Sequence, residues 1–387
     1  MTELEQPSYR VLVTGANGFI GNNLVVRLRE QSRFTVTAFV RGDDVSSLSK
    51  IMAQSDSVIH LAGENRPADP SAFSQVNTGL TVDVCEAIKA ELAISGRKIP
   101  IILASSTQAE RDNLYGQSKR AAERAVQELA RDTGNPVVIF RLPGVFGKWC
   151  KPNYNSVVAT FCHNIARGLP IQVNDPTAAV QLAYVDDVVS QMIDAVDECL
   201  ADGWTKGREA VQVAVTPQYE TTLGALAAQI HAFDVCRTRL MSEHVGTGFV
   251  RALYATYVSY LPNERFAYGL AQHADPRGVF VEMLKTPDSG QFSYFTAHPG
   301  ITRGGHYHHT KTEKFLIIKG TGLFRFRHLL TDERFELTTS GDKPQVVDTI
   351  PGWVHDITNT GQDELVVMLW ANEVFDRANP DTVAAPI

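Results

Sequence analysis

At 387 residues the chain exceeds what one hydrophobic core usually organises, so two domains are expected. Its 44% hydrophobic and 20% charged residues suit a soluble globular protein, and a formal charge of −7 argues against nucleic-acid or anionic-membrane partners, which favour a basic face. Cys85, Cys150, Cys162, Cys199 and Cys236 are scattered without a C-x-x-C, the stretch Met1 to Arg10 is polar, and no apolar run approaches about 18 residues, so reduced thiols and a cytoplasmic location are expected.

From Tyr9 the chain reads as an apolar strand, a turn holding Gly15, Gly18 and Gly21, and a helix to about Arg29. Gly15 permits the tight turn, Gly18 lets backbone amides approach a pyrophosphate, and Gly21 lets the helix pack on the strand. The next strand, Phe34 to Val40, ends at Arg41, where an acid would meet the ribose 2′-hydroxyl of NAD. Arginine pairs instead with a 2′-phosphate, which favours NADPH; a solvated arginine closing the strand is the plain alternative.

Ser57 to Gly63 is a third strand, and Ser71 to Ala90 a helix containing Asn77. A fourth strand, Pro100 to Ala104, delivers Ser105, Ser106 and Thr107 at its carboxyl end, where open α/β sheets do their chemistry. Tyr115 and Lys119 then open a long helix four positions apart, on one face. An ammonium beside a phenol lowers its pKa and readies it to hand a proton to a carbonyl oxygen as hydride arrives; a hydroxyl from Ser106 or Thr107 completes the contact.

These motifs, with His60-Leu-Ala-Gly63, Val76-Asn77, Arg141-Leu-Pro-Gly-Val-Phe-Gly147 and Tyr184-Val-Asp-Asp-Val188, resemble the extended short-chain dehydrogenase/reductases over about the first 245 residues. That resemblance implies a Rossmann-type doubly wound parallel sheet, an activity on nucleotide sugars, and a dinucleotide held by Gly15, Asn17, Gly18, Phe19, Ile20, Gly21, Arg41, Leu61, Ala62, Asn77, Tyr115 and Lys119. Only eight residues separate Ser106 from Tyr115, fewer than in many relatives, so the hydroxyl partner stays open, with Ser106 preferred over Thr107.

Arg141 to Asn155 reads as a loop over the substrate, in which Lys148 and Asn153 are the candidates for gripping a uridine diphosphate; capping of the sheet explains the same residues equally well. Arg167 to Ile171 ends a helix and starts a strand, Val180 to Val188 leads into another helix, and His163 is read as packing. Between about Ala201 and Ala274 the pattern is helical, with apolar stripes over Leu223 to Phe233 and Phe249 to Leu261. The boundary is placed near Phe266, giving a reductase domain over 1–266 and a second domain over 267–387.

Beyond it come short alternating strands, Gly278 to Lys285, Gln291 to Ala297, Glu313 to Lys319, Gly322 to Arg327, Arg334 to Thr338, Gln345 to Ile350 and Glu364 to Asn372, the pattern of an all-β sandwich or barrel. His306 and His308 share a strand face, Glu313 can fold back beside them on a hairpin, and His355 comes from a later strand. Three nitrogens and one oxygen suit zinc, and also nickel, iron(II) or manganese. The spacing from Gly300 through His306, His308 and Glu313 to Gly320, followed by Pro351-Gly-Trp-Val-His355 and Asn359, resembles the paired motifs of the cupins, which implies a jelly-roll fold. His309 faces the other way. Tyr307, Lys311 and Asp356 lie near the motif, and the sequence does not choose among them for proton transfer.

A reductase ahead of a cupin, with Ser105-Ser-x-Gln-Ala109, Asp112-Asn-x-Tyr115 and Gly305-His-Tyr-His-His-Thr-Lys311, resembles the bifunctional capsular polysaccharide enzymes of the CapF/WbjC family across nearly the whole chain. The resemblance implies a homodimer. It also implies C3 epimerisation of UDP-2-acetamido-2,6-dideoxy-β-L-arabino-hexul-4-ose in the cupin, then NADPH-dependent reduction at C4. A reductase whose cupin only dimerises or senses ligand is the competing expectation.

Overall fold

The computed structural model describes residues 9–66, 69–71, 73–201, 207, 209–309, 311–378 and 380–387. The polar stretch ahead of Tyr9, Ala72 of the expected 71–90 helix, part of the stretch after Ala201 and Thr310 lie outside the described residues. Packing divides the chain into two compact units: one runs to Ile230 and regains Ala252–Leu261, the other comprises His231–Arg251 and Pro262–Ile387.

The first unit holds strands β1 (Tyr9–Thr14), β2 (Phe34–Phe39), β3 (Ser57–His60), β4 (Ile101–Ser106), β5 (Val137–Leu142), β6 (Gly144–Phe146), β7 (Ala179–Tyr184), β8 (Val211–Val213) and β9 (Tyr219–Thr222). Its main helices are α1 (Phe19–Arg29), α2 (Leu48–Met52), α3 (Leu80–Ser95), α4 (Leu114–Thr133), α5 (Val157–Ile165) and α6 (Val185–Leu200). Six strands make a parallel sheet in the order β2-β1-β3-β4-β5-β8, and β6, β7 and β9 form a small second sheet. Central strands covered on both faces read as continuous apolar runs. In β1, Val11 and Val13 join a core with Leu24 and Leu28 of α1 and Met192 of α6, while Leu12 joins the opposite core with Ile88 of α3 and Val126 of α4. The doubly wound sheet expected from the sequence is therefore present.

Local chemistry sets the ends of α4, the helix that carries Tyr115. Asn113 accepts a hydrogen bond from the Gly116 amide at 2.7 Å, and Gly134 closes the helix in the left-handed conformation. Two details differ from the sequence expectations. The expected 71–90 helix opens as a π-helix over Phe73–Gly79, and the side chain of the buried Asn77 in it bonds the Glu64 backbone and Ser118 Oγ. No strand forms at Ile171, and the Arg141–Asn155 segment contains β6, which pairs with β7.

Helices α7 (Leu223–Arg239) and α8 (Gly248–Ser259) occupy the stretch expected to be helical. Both helices are divided between the two units, and the strands of the second unit are β10 (His273–Asp275), β11 (Gly278–Thr286), β12 (Gly290–Ala297), β13 (Thr302–Tyr307), β14 (Glu313–Lys319), β15 (Thr321–His328), β16 (Arg334–Ser340), β17 (Val346–Asp348), β18 (Trp353–Asn359), β19 (Leu365–Ala371) and β20 (Val383–Ala384). They form two antiparallel sheets, β10-β11-β12-β19-β14-β17 and β16-β15-β18-β13-β20. Phe295, Phe315 and Ile317 of the first sheet and Phe324, Phe326 and Ile357 of the second share one apolar core, as alternating strands require. Among the described residues no helix is long and apolar enough to cross a membrane.

Candidate active sites

In the α/β unit the glycine turn follows β1. Gly15 has φ +69°, and a Cβ on it would lie 2.7 Å from the Ala62 amide nitrogen, so only glycine fits between the ends of β1 and β3. Gly18 begins α1 without a side-chain cap, which leaves the helix's first amides for an anion. Arg41, just past β2, carries an exposed guanidinium that pairs with the Glu64 carboxylate. Glu64 itself is fixed by Asn77, whose Oδ1 accepts from its amide at 2.7 Å and whose Nδ2 donates to its carbonyl at 2.9 Å.

Tyr115 and Lys119 lie on the same side of α4 beside the end of β4. Burial pushes the Tyr115 phenol above its ordinary pKa, and a hydrogen bond with Ser106 pulls the other way. Thr107 is exposed at the start of a short 3-10 turn, so Ser106 is the hydroxyl at the phenol. The sequence expectation that Lys119 lowers the Tyr115 pKa needs correction. Lys119 is buried, donates its Nζ proton to the Ala104 carbonyl at 3.0 Å, and is itself brought down to about 8 by that burial, against an opposing pull from Glu123. Ser105 is taken up elsewhere, bonding Glu123 at 2.6 Å while Arg141 grips the same carboxylate with two nitrogens.

The loop after β6 brings Lys148 to Asp186 at 2.6 Å and sets Trp149 and Asn153 at φ +68° and +55°, conformations that cost residues with a side chain. Asn153 is tied through its amide to Thr160 Oγ1 at 3.0 Å. His163 is half-buried on α5.

In the β unit, one potential ligand atom from each of His306, His308, Glu313 and His355 falls within 4.8 Å of the others. Gly304 makes this possible. Its φ of +104°, with the register shift between Gly304 and His306, bulges β13 so that His306 comes opposite His355 of β18. Just beyond β13, His308 places Nε2 3.1 Å from Glu313 Oε2, and its Nδ1 bonds the Asp381 carbonyl. A carbonyl can only accept, so that bond puts the His308 proton on Nδ1. In the neutral ring the Nε2 lone pair then faces a carboxylate oxygen, an arrangement that demands a cation or proton between them.

The buried His355 makes no well-formed hydrogen bond: its Nε2 lies 3.4 Å from Glu313 Oε2, and its Nδ1 is without a partner, a loss of about 1–3 kcal/mol if left so. Burial would raise Glu313, yet His308, His355 and the Lys311 ammonium 3.2 Å away hold its carboxyl well below the usual range. Burial, reinforced by His355, brings His306 down to about 4, which keeps it neutral as a metal ligand must be. The donor set therefore fits a divalent cation.

The cluster opens on a cavity of about 250 Å³ whose walls include Phe280, Phe295, Phe315 and two guanidiniums, Arg277 and Arg303. Arg277 is bound to Asp275, whereas Arg303 lies over the Phe295 ring at 5.0 Å and donates to the Thr296 carbonyl. Sequence reasoning missed both arginines and Asp381, because nothing in the cupin-type spacing marks them. Of the three residues left open for proton transfer, Asp356 alternates away from His355 and pairs across the strand with Arg325, and Tyr307 packs on His309. Asp356 still lines the cavity, and Lys311 reaches the cluster itself, with Nζ 3.2 Å from Glu313 Oε1.

Comparison with known proteins covers both halves. Residues 11–203 match the NAD dependent epimerase/dehydratase family and residues 273–383 the polysaccharide biosynthesis C-terminal domain. The chain is 54% identical to UDP-2-acetamido-2,6-beta-L-arabino-hexul-4-ose reductase of Pseudomonas aeruginosa over 98% of its own length and 99% of the relative's. The crystal structure of capsular polysaccharide assembling protein CapF from Staphylococcus aureus superposes with a TM-score of 0.87 at 40% identity, covering 97% of this chain and 100% of that one. A structure of CapF with the inhibitor 3-isopropenyl-tropolone gives a TM-score of 0.82 at 36% identity, over 98% of this chain and 100% of the other.

Proposed function

The chain belongs to the family of the hexulose reductase and CapF, an epimerase/dehydratase-type domain followed by a polysaccharide biosynthesis C-terminal domain, and on that premise we propose that it performs two reactions on one UDP-linked 4-keto sugar. The substrate is UDP-2-acetamido-2,6-dideoxy-β-L-arabino-hexul-4-ose. The cupin domain, beginning near Phe266, epimerises C3; the reductase domain then reduces the C4 ketone with NADPH to UDP-N-acetyl-6-deoxy-L-talosamine. The product leads towards UDP-N-acetyl-L-fucosamine for surface polysaccharide, and the working form is a cytoplasmic homodimer.

For the reduction, Tyr115 gives its phenolic proton to the C4 oxygen while Ser106 steadies the same oxygen, and Lys119 adds positive charge beside them. When bound at the glycine turn, NADPH supplies the hydride. Gly15, Asn17, Gly18, Phe19, Ile20 and Gly21 shape its pyrophosphate seat, Leu61, Ala62 and Asn77 the crevice floor, and Arg41 takes the 2′-phosphate in place of Glu64. Lys148 and Asn153 hold the substrate's uridine diphosphate.

For the epimerisation, a divalent cation held by His306, His308, Glu313 and His355, zinc foremost, supplies the Lewis acidity that makes a hydrogen next to a carbonyl removable. Lys311 fixes Glu313, Asp381 fixes His308, and Arg303 and Arg277 give the cavity wall the charge that suits an anionic substrate. The observation that carries the two-reaction reading is the gathering of His306, His308, Glu313 and His355, one potential ligand atom from each within 4.8 Å of the others, beside a cavity with charged walls.

The test is solvent deuterium incorporation at C3, followed by NMR in the Tyr115→Phe background so that reduction cannot interfere. Chelation of the metal, or His308→Ala, is expected to abolish incorporation and re-addition of zinc to restore it in the chelated protein. Exchange that persists in metal-free, folded protein would leave a single-activity reductase.

A further inference from the structure

His60 ends β3, is 1% exposed, and sits between two threonines, with Nδ1 2.6 Å from Thr14 Oγ1 and Nε2 2.9 Å from Thr81 Oγ1. Valence fixes the direction of these bonds. Thr81 has one hydroxyl proton and donates it to the Asn77 carbonyl at 2.7 Å, which can only accept. The Thr81 oxygen therefore accepts from His60 Nε2–H, and a neutral ring accepts the Thr14 proton at Nδ1. Thr14 Oγ1 in turn accepts from the Ala62 amide at 3.2 Å. Burial, reinforced by like-charge repulsion from the Lys119 ammonium, takes the imidazole down to about 3, so the ring is neutral at working pH.

Asn77 extends the line. Its Nδ2 donates to Ser118 Oγ at 2.9 Å, and Ser118 donates to the Tyr115 carbonyl at 2.8 Å. Hydrogen bonds to the backbone and to the side chain of Asn77 thus connect the end of β3, through the π-helical turn, to the first turn of α4. Each hydroxyl proton in this set is used once, so no single rotor can absorb a change at the ring.

We propose that His60 is a positioning residue for the reductase reaction: a neutral, Nε2-protonated imidazole that ties the floor of the dinucleotide crevice to the helix bearing Tyr115. The proposal rests on the reductase reading above. Nothing in it requires the ring to touch substrate or cofactor.

His60→Leu removes both bonds at similar volume, and His60→Gln keeps one donor and one acceptor. In His60→Leu, NADPH turnover is expected to fall about 10-fold and the KM for NADPH to rise by a similar factor, with His60→Gln recovering to within about 3-fold and C3 exchange unchanged in both. Long-range proton–nitrogen NMR of histidine-labelled wild-type protein is expected to show one ring protonated only at Nε2 and unchanged from about pH 5 to 9. A titrating or Nδ1-protonated His60 overturns the proposal even where His60→Leu fails to fold, and so does His60→Leu with wild-type kinetics. Wild-type NADPH turnover is measured alongside: its absence sinks the reductase reading, while the NMR result still decides the state of the ring.

Discussion

The two units prepare their chemistry in opposite ways. In the α/β unit the candidate groups already have protein partners: Lys119 bonds a carbonyl, Arg41 pairs with Glu64 and Lys148 with Asp186. The β unit instead buries ligand atoms that protein alone satisfies poorly, including the two nitrogens of His355, which make no well-formed hydrogen bond. A site completed by its own hydrogen bonds should respond to substitution in steps. One that needs an ion should respond all at once.

That contrast can be pressed hardest at Tyr115. Tyr115→Phe is expected to slow NADPH oxidation with the 4-keto sugar by about 10²–10⁴-fold while deuterium still enters C3; loss of both together would mean that the halves do not act separately. A smaller effect is expected at Arg41. Arg41→Ala should cut the preference for NADPH over NADH about tenfold, read from kcat/KM with each dinucleotide, because on the proposed reading the guanidinium exchanges Glu64 for the 2′-phosphate, which NADH lacks. An unchanged ratio would return Arg41 to the role of a solvated strand end.

The smallest effect is on pH dependence. With Lys119 brought down to about 8 by burial, the reduction rate should decline as pH rises through that value and the ammonium is lost. The stability contribution has the opposite sign. Between about 8 and the ordinary lysine value the unfolded chain keeps a proton that the folded chain has released, so stability rises with pH across this window, by at most about 1.4 kcal/mol per unit. Urea melts of wild type and Lys119→Met through that range would reveal it. C3 exchange should lack the break at 8.

Much of this was legible in the sequence because local spacing encodes it. The glycine turn, the Tyr115 and Lys119 pair and the alternating β strands depend on neighbours a few residues away, and the fold carries all three. His306, His308 and Glu313 were legible for the same reason, and His355 as an imidazole on a later strand that could close the set. What stayed hidden depends on how strands pair and pack rather than on spacing: Arg277 and Arg303 in the cavity wall, Asp381 behind His308, and the bulge at Gly304 that brings His306 opposite His355. Lys119 illustrates a subtler limit. Its face on the helix could be read, but its depth could not, and depth rather than adjacency sets its charge.

His355 lies in register with His306 on one side and Phe326 on the other. Because strand side chains alternate, a slip of one residue in either pairing would swing the imidazole out of the interior. On the proposed metal reading, ion capture would then proofread strand alignment: molecules whose β13, β15 and β18 are paired correctly would take up the ion, and mispaired ones would stay empty and be distinguishable by that alone.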